Sequence, residues 1–561
     1  MKPTPRLERF LRIFYAALPL VVLAMGAWLE YVAVVRITQG KFVYSLDDAY
    51  IHLALAERIA SGFYGINPGE AAAPASSILW PFLLTPWVNA TFFQNVTFFQ
   101  NATFFELVPL ALNLLAAAAA VGVYRRLGLL VLDRLPPLRA QAGAAWIAVF
   151  LIPTTNLIGL AFNGMEHTLQ VLLCAAIVYG LARVLRGKHT PWWLVAALGL
   201  APAVRYECLA VSLPGLAVLL AARRWRAFAA GLALMLLPLA SFSLFLRAQG
   251  LDWLPSSVVA KAGTTGELLS AAGMLARISD NLEEYQGVVL AGMILFLLGW
   301  GLAKGNRPWI ERAAAVAGAA GGLAHLMFGQ FGWWERYEVY MLAFTALLAL
   351  YLTRAWFARV FERGILAILA VLAALSLLLG APYYACAVRT PLAAANIYEQ
   401  QYQMHRFAVD FLDAPVGVND LGWVSFRNPN YVLDLWGLAS AEALHSRTQA
   451  ALAAGADLRP GALNLAGVWG GDWMDELARE HGVGVVMIYD EWFFGGWNGK
   501  NSLPEGWTEV AKLHLGHEWV VAGEDTVSFY VLDSQEAERI RGLLAAFRET
   551  LPPGVRMEIT Q

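Results

Sequence analysis

The chain has 561 residues, 58% of them hydrophobic and 15% charged, with a mean hydropathy of +0.53 and a net charge of −2. Ordinary soluble chains are about 25% charged and about 45–50% apolar, and disordered segments are poor in apolar residues, so both classes are excluded. The scattered basic residues leave no nucleic-acid footprint, and three cysteines, Cys174, Cys208 and Cys386, supply neither a disulfide framework nor a metal-ligand spacing. The composition is that of an integral membrane protein.

Apolar stretches of about 18–20 residues are long enough to cross a bilayer as helices. Eleven are predicted, near 14–35, 106–123, 142–161, 168–185, 191–205, 208–222, 227–246, 286–303, 313–329, 337–353 and 364–381. The first is too long and unbroken for a cleaved signal peptide and reads as an anchor.

The first span is followed by an outer loop over 36–105. Ser45-Leu46-Asp47-Asp48-Ala49-Tyr50-Ile51-His52 opens it, and Ile51, Leu55 and Ile59 fall on one helical row, predicting an amphipathic helix that rests in the interface. Two carboxylates at its start suit the helix dipole. They also suit proton abstraction from an acceptor hydroxyl, with the second acid orienting the acceptor or raising the pKa of the first. An adjacent Asp pair can also hold a divalent cation. The repeat Asn89-Ala90-Thr91-Phe92-Phe93-Gln94, Asn95-Val96-Thr97-Phe98-Phe99-Gln100, Asn101-Ala102-Thr103-Phe104-Phe105 carries a glycosylation sequon in each unit. It is read as a duplicated segment whose Phe pairs lie in the interface.

Further outer turns follow in order. Asn163-Gly164-Met165-Glu166-His167 opens the fourth span, and Arg205-Tyr206-Glu207 closes a hairpin between the fifth and sixth. Trp253 to Lys261 reads as a re-entrant segment, Glu283-Glu284 as a solvated face, and His325 as a histidine bonded to a neighbouring helix. Trp333-Trp334-Glu335-Arg336-Tyr337 forms the fifth outer turn. Ionisable residues at membrane depth are costly and point to function, which places the chemistry on the outer face. Arg205, Lys261 and Arg336 are the candidate phosphate ligands. His52, Glu166, His167, Glu207, Glu335 and Tyr337 are the candidate pocket residues.

Half of the 40 Lys and Arg residues sit in the loops on the N-terminal side of the bilayer, against eight in the opposite loops before residue 382. The positive-inside rule makes the N-terminus cytoplasmic and the tail extracytoplasmic, as in a multi-pass protein of a bacterial inner membrane. The chain is expected to divide into a membrane domain over 1–381 and a tail over 382–561. In the tail, apolar runs at 416–418, 431–433 and 483–488 alternate with helical stretches near 392–412, 471–481 and 535–549. That alternation predicts a small α/β domain with a parallel sheet.

Asp47-Asp48-Ala49-Tyr50-Ile51, then Gly65-Ile66-Asn67-Pro68-Gly69-Glu70 and Ser76-Ser77-Ile78-Leu79-Trp80, resemble the first outer loop of GT-C glycosyltransferases. The likeness is to the mycobacterial terminal β-arabinofuranosyltransferase family and its bacterial relatives. It continues through Gly164-Met165-Glu166, Arg205-Tyr206-Glu207 (Arg-Pro-Glu is commoner in the family), Pro255 to Gly263, Arg336-Tyr337, Val418 to Gly422 and Val432 to Leu438. The resemblance implies a polytopic GT-C-like membrane protein with an outer α/β domain. It further implies a polyprenyl-phosphate-sugar donor, a glycan, lipid or protein acceptor, and an acidic catalytic residue matched by Asp47, with Asp48 its partner. Arabinofuranose is the sugar it suggests. A hexose transferase, a flippase of lipid-linked sugar and a glycan-binding assembly protein are the other readings. A flippase would place its polar groups near the bilayer midplane, and a mere anchor does not need eleven spans.

Overall fold

The computed structural model describes residues 4–90, 103–258, 271–305, 307–453, 472–490 and 503–560. The chain forms two compact units, each built from three segments: Met1–Val32, Leu110–Ser241 and Met274–Val388 in the first, and Ala33–Pro109, Phe242–Gly273 and Arg389–Gln561 in the second.

The fold is rich in apolar helices. Among the described residues six helical runs are long and apolar enough to cross a membrane: Pro5–Ile37, Phe104–Val131, His167–Leu185, Trp225–Ala248, Tyr285–Leu302 and Ile365–Leu412. A seventh is the pair Val339–Leu352 and Arg354–Glu362, bent by 69°. Four of the eleven expected stretches do not give such a run: 313–329 lies within the 20-residue helix Trp309–Phe328, and the other three have local causes. Trp192–Val204 and Leu209–Ala221 have 13 residues each, which at about 1.5 Å per residue give roughly 20 Å of helix, short of a ~30 Å hydrocarbon core. The 142–161 stretch is interrupted at Asn156, whose left-handed backbone (φ 48°) separates Pro137–Thr154 from Leu157–Phe162. The last stretch does not end near 381, because its helix continues to Glu399.

Within the first unit the helices pack around a continuous core that includes Val171, Cys174, Val178, Leu198, Val211 and Phe344. Small residues let helices approach closely. A Cβ on Gly321 of Trp309–Phe328 would lie 2.2 Å from the carbonyl oxygen of Ala210, so only glycine permits that contact.

The second unit contains a six-stranded sheet in the order β2-β1-β3-β5-β4-β6. The strands are β1 (Val416–Val418), β2 (Val432–Asp434), β3 (Val485–Ile488), β4 (Thr508–His514), β5 (Thr526–Val531) and β6 (Arg556–Ile559). β1 pairs in parallel with β2 and β3, while β3–β5, β5–β4 and β4–β6 are antiparallel. The expected parallel sheet is therefore only the β2-β1-β3 half. Residues 515–525 join β4 to β5 without the helical crossover that a parallel pair requires. Leu433, Leu435, Met474, Leu477, Val486 and Ile488 form the core under this half, with Asp472–Glu480 as its covering helix.

First-loop residues build this unit too. Asn67 accepts the Val432 N–H at 2.9 Å and donates its amide to the Val432 carbonyl at 3.0 Å. Its side chain thus completes the hydrogen bonding of a strand at the sheet edge. Glu70 accepts from Asn67 at 2.9 Å and from the Tyr431 hydroxyl at 2.7 Å. The predicted helix after the acid pair is Asp48–Ala60, and Ala49 through Ala56 are all buried, so protein covers it on every face.

Candidate active site

Asp47 precedes the Asp48–Ala60 helix, but its side chain does not cap that helix. Its carboxylate instead receives the N–H of Gly422 at 2.6 Å on one oxygen and that of Trp423 at 2.8 Å on the other. These N–H groups open the short helix Gly422–Ser425, in the loop that leaves β1. Hydrogen bonds to a charged group contribute about 1.5–3 kcal/mol each. Gly422 is required by the closeness of this contact, since a Cβ there would lie 2.5 Å from an Asp47 carboxylate oxygen.

Asp420 adjoins Asp47. Gln401 donates to its carboxylate at 2.7 Å and the Tyr489 hydroxyl lies 3.3 Å from the same oxygen. Gln401 also donates to Tyr489 at 2.6 Å, and Tyr489 donates to Gln400 at 2.7 Å. Asp420 follows the C-terminal end of β1 and Tyr489 that of β3. Both therefore lie at the same end of these two parallel neighbours.

Burial first, and then the negative charge of Asp420, push the Asp47 carboxyl well above the usual carboxylate range. Burial and the charge of Asp48 likewise raise Asp420, against the pull of hydrogen bonds from Asp47 first and then from Gln401 and Tyr489. Asp48 itself is half-buried. His52, one turn further along on the same helical face, is buried.

An aromatic wall flanks the acids. Tyr50 stacks on Trp423 with ring centroids 4.1 Å apart, and Tyr402 lies 4.9 Å from Trp423. The Lys41 ammonium sits 4.7 Å from the Tyr402 ring and 5.1 Å from the Trp423 ring, with Glu106 at 3.7 Å. Lys41, Asp420, Trp423, Tyr402, Gln401 and Tyr489 were not singled out by the sequence reading. Only Asp420 carried a signal, through its place in the Val418–Gly422 motif.

The other candidate residues gather in the first unit. Arg205 donates to Glu166 at 2.7 Å and to Glu207 at 2.8 Å, with Arg205 and Glu166 buried and Glu207 about one-third exposed. The Tyr337 ring lies 5.8 Å from Arg205 and 4.9 Å from Arg336, and 6.4 Å from the His167 ring. Arg336, buried, donates to the Met165 sulfur at 2.9 Å and to the Tyr337 hydroxyl at 3.0 Å. His325 lies 3.0 Å from the Tyr340 hydroxyl, the interhelical bond expected of it. Lys261 and residues 91–102 of the Phe repeat lie outside the described residues.

Residues Gly332, Trp333, Trp334 and Glu335 all have positive φ, from 42° to 72°. Consecutive left-handed residues other than glycine are costly and cluster at functional or switching segments. Glu335 accepts from Gln286, and Glu338 accepts from the Gly332 N–H at 3.1 Å and the Tyr383 hydroxyl at 2.9 Å.

Among the described residues no group of three or more His, Cys, Asp or Glu side chains is arranged to hold a metal ion.

A family model described as a domain of unknown function (DUF8728) matches residues 395–530. No curated protein matches the chain. Solved structures are similar to it, among them the following three. The oligosaccharyltransferase of Archaeoglobus fulgidus in its apo form aligns with a TM-score of 0.45 and 12% identity, over 88% of this chain and 73% of that one. ArnT from Cupriavidus metallidurans bound to undecaprenyl phosphate gives 0.41 and 11%, over 93% and 98%. The archaeal oligosaccharyltransferase AglB from A. fulgidus, in complex with an inhibitory peptide and a dolichol-phosphate, gives 0.40 and 12%, over 85% and 70%.

Proposed function

We propose that the protein is a GT-C-type membrane glycosyltransferase that moves a sugar from a polyprenyl-phosphate donor to an acceptor hydroxyl on the extracytoplasmic face of a bacterial inner membrane. The observation that carries the proposal is the Asp47 carboxyl. It is buried, held by two backbone N–H groups, and raised in pKa by burial and by Asp420. A carboxyl tuned upward in this way is better matched to general-base work near neutral pH than an ordinary aspartate. Two N–H groups occupy only part of the lone-pair capacity of a carboxylate, which leaves it able to take the acceptor proton.

In this reading Asp47 removes that proton, the hydroxyl oxygen attacks the anomeric carbon, and the lipid phosphate departs with its bonding electron pair. Asp48 orients the acceptor, and His52 lies on the same helical face. Lys261 is proposed for the donor phosphate on its sequence position, and the Arg336–Tyr337 pair is the anion-binding candidate of the first unit. Arg205, which donates to Glu166 and Glu207, is a further candidate for the donor phosphate. Arabinofuranose is the sugar proposed, on the sequence resemblance, with a glycan, lipid or protein hydroxyl as acceptor.

The test uses purified protein in nanodiscs with synthetic polyprenyl-phosphate-arabinofuranose and, separately, hexose donors. Acceptor-dependent release of polyprenyl phosphate is expected from one donor class. Movement of intact donor across proteoliposomes, with no release from any donor in the presence of acceptor extracts, would instead establish a flippase.

A further inference from the structure

The first unit contains a cavity of about 780 Å³ that the proposed transfer reaction does not use. This lies within the roughly 300–1,000 Å³ range of small-molecule sites. Its wall is apolar along Phe150, Leu151, Met293, Phe296, Leu350 and Leu375, and it ends among Arg134, Arg307, Arg354 and Arg359. A second cavity of about 420 Å³ adjoins it and shares Arg134, Glu311 and Arg354. The fold makes this space at the 69° bend between Val339–Leu352 and Arg354–Glu362. The second helix turns aside there, burying Phe357, Ala358, Val360 and Phe361 while Arg359 stays exposed. Such a helix suits the membrane interface. Trp300 and Trp356 also line the cavity, and tryptophans of this kind mark headgroup depth.

The charges decide the occupant. Arg354 is paired with Glu311 at 2.7 Å and Arg186 with Asp133 at 2.5 Å, so these cations are offset. Among the described residues Arg134, Arg307 and Arg359 form no ion pair, and all three are exposed. The Arg307 guanidinium rests on the Trp300 ring at 4.4 Å and donates to the Trp300 carbonyl at 2.7 Å. Three uncompensated guanidiniums at the end of an apolar cavity complement one anion attached to hydrocarbon chains. They belong to loops that the charge bias assigns to the cytoplasmic face.

We propose that this cavity binds an anionic glycerophospholipid of the cytoplasmic leaflet, its acyl chains along the apolar wall and its phosphate at Arg134, Arg307 and Arg359. The site is separate from the proposed transfer chemistry and stands or falls without it.

The experiment delipidates the full-length protein in detergent and measures lipid retention by native mass spectrometry. Phosphatidylglycerol is offered against phosphatidylcholine, polyprenyl phosphate and glycerol phosphate. At least tenfold preference for phosphatidylglycerol over phosphatidylcholine is expected, and it should be lost in the triple variant Arg134→Gln, Arg307→Gln, Arg359→Gln. Ala349→Phe, which fills the apolar wall without changing charge, should reduce phosphatidylglycerol retention at least tenfold, and it decides the matter if the triple variant does not fold. Equal retention of the two phospholipids, or retention unaffected by either variant, overturns the proposal. Displacement by equimolar polyprenyl phosphate overturns it in favour of a carrier-lipid site, and displacement by glycerol phosphate in favour of a phosphate subsite alone.

Discussion

At the scale of residues, two buried carboxylates have opposite surroundings. Glu166 faces Arg205 and is fully buried with it. Removing one partner of a buried pair costs about 3–5 kcal/mol, because the other charge is left uncompensated. Arg205→Met is therefore expected to lower the melting temperature strongly, whereas adding Glu166→Gln to it should restore most of the loss. Equal destabilisation by the single and double variants would show that the pair does not act as a unit. Asp47 has N–H donors but a like charge beside it. Its proton is retained to higher pH than in an ordinary aspartate, and a base must be ionised to act, so activity should rise with pH through this elevated pKa. Asp420→Asn removes the second-largest cause of the elevation. The acid limb of the kcat/KM profile should then move to lower pH, and an unshifted limb would mean that another group governs it.

Among the elements, the left-handed turn at 332–335 supports two acids with raised pKa values. Burial, and then Glu284, push Glu335 up to about 7, and burial, and then Glu335, push Glu338 up to about 8. The folded state keeps protons that the unfolded chain releases near pH 4.5, so the contribution of these two groups to stability is fully present below about pH 4.5 and is lost as pH rises toward about 8. Glu338→Gln should flatten the melting temperature between pH 5 and 8. A slope as steep as in the wild type would place the linkage elsewhere. The sequence placed a turn at 333–337 but not its left-handed backbone, because Trp333, Trp334 and Glu335 carry no preference for positive φ. Strands β1, β2 and β3 were legible as Val-rich buried runs. Strands β4 and β6 were not, since Thr508–His514 and Arg556–Ile559 interleave charged with apolar residues and are partly exposed.

For the molecule as a whole, the apolar composition and the concentration of mixed charges in one set of turns were readable from sequence alone. Asp47 was legible as an acid directly after the first span. Its partners were not, because Gly422 and Trp423 lie more than 370 positions away and are joined to it by backbone N–H groups that no residue pattern encodes. Short Pro-containing helices and the left-handed Asn156 interrupt runs that are apolar throughout, which the sequence reads as single stretches. Asn67 and Glu70, noticed as part of a motif, hold the β2 edge and the Tyr431 hydroxyl.

Asp47 is proposed as the catalytic base of a transferase. The most direct measurement compares single-turnover release of polyprenyl phosphate by the wild type, Asp47→Asn and Asp48→Asn, with melting curves and donor binding recorded on the same preparations. Asp47→Asn turns an amide toward a backbone N–H donor and should lose some stability, about 1–3 kcal/mol. The account predicts that Asp47→Asn, still folded and still binding donor, loses at least about 100-fold in rate, and that Asp48→Asn loses less. Release by folded Asp47→Asn at the wild-type rate would contradict it and leave Asp47 as a tie between two loops.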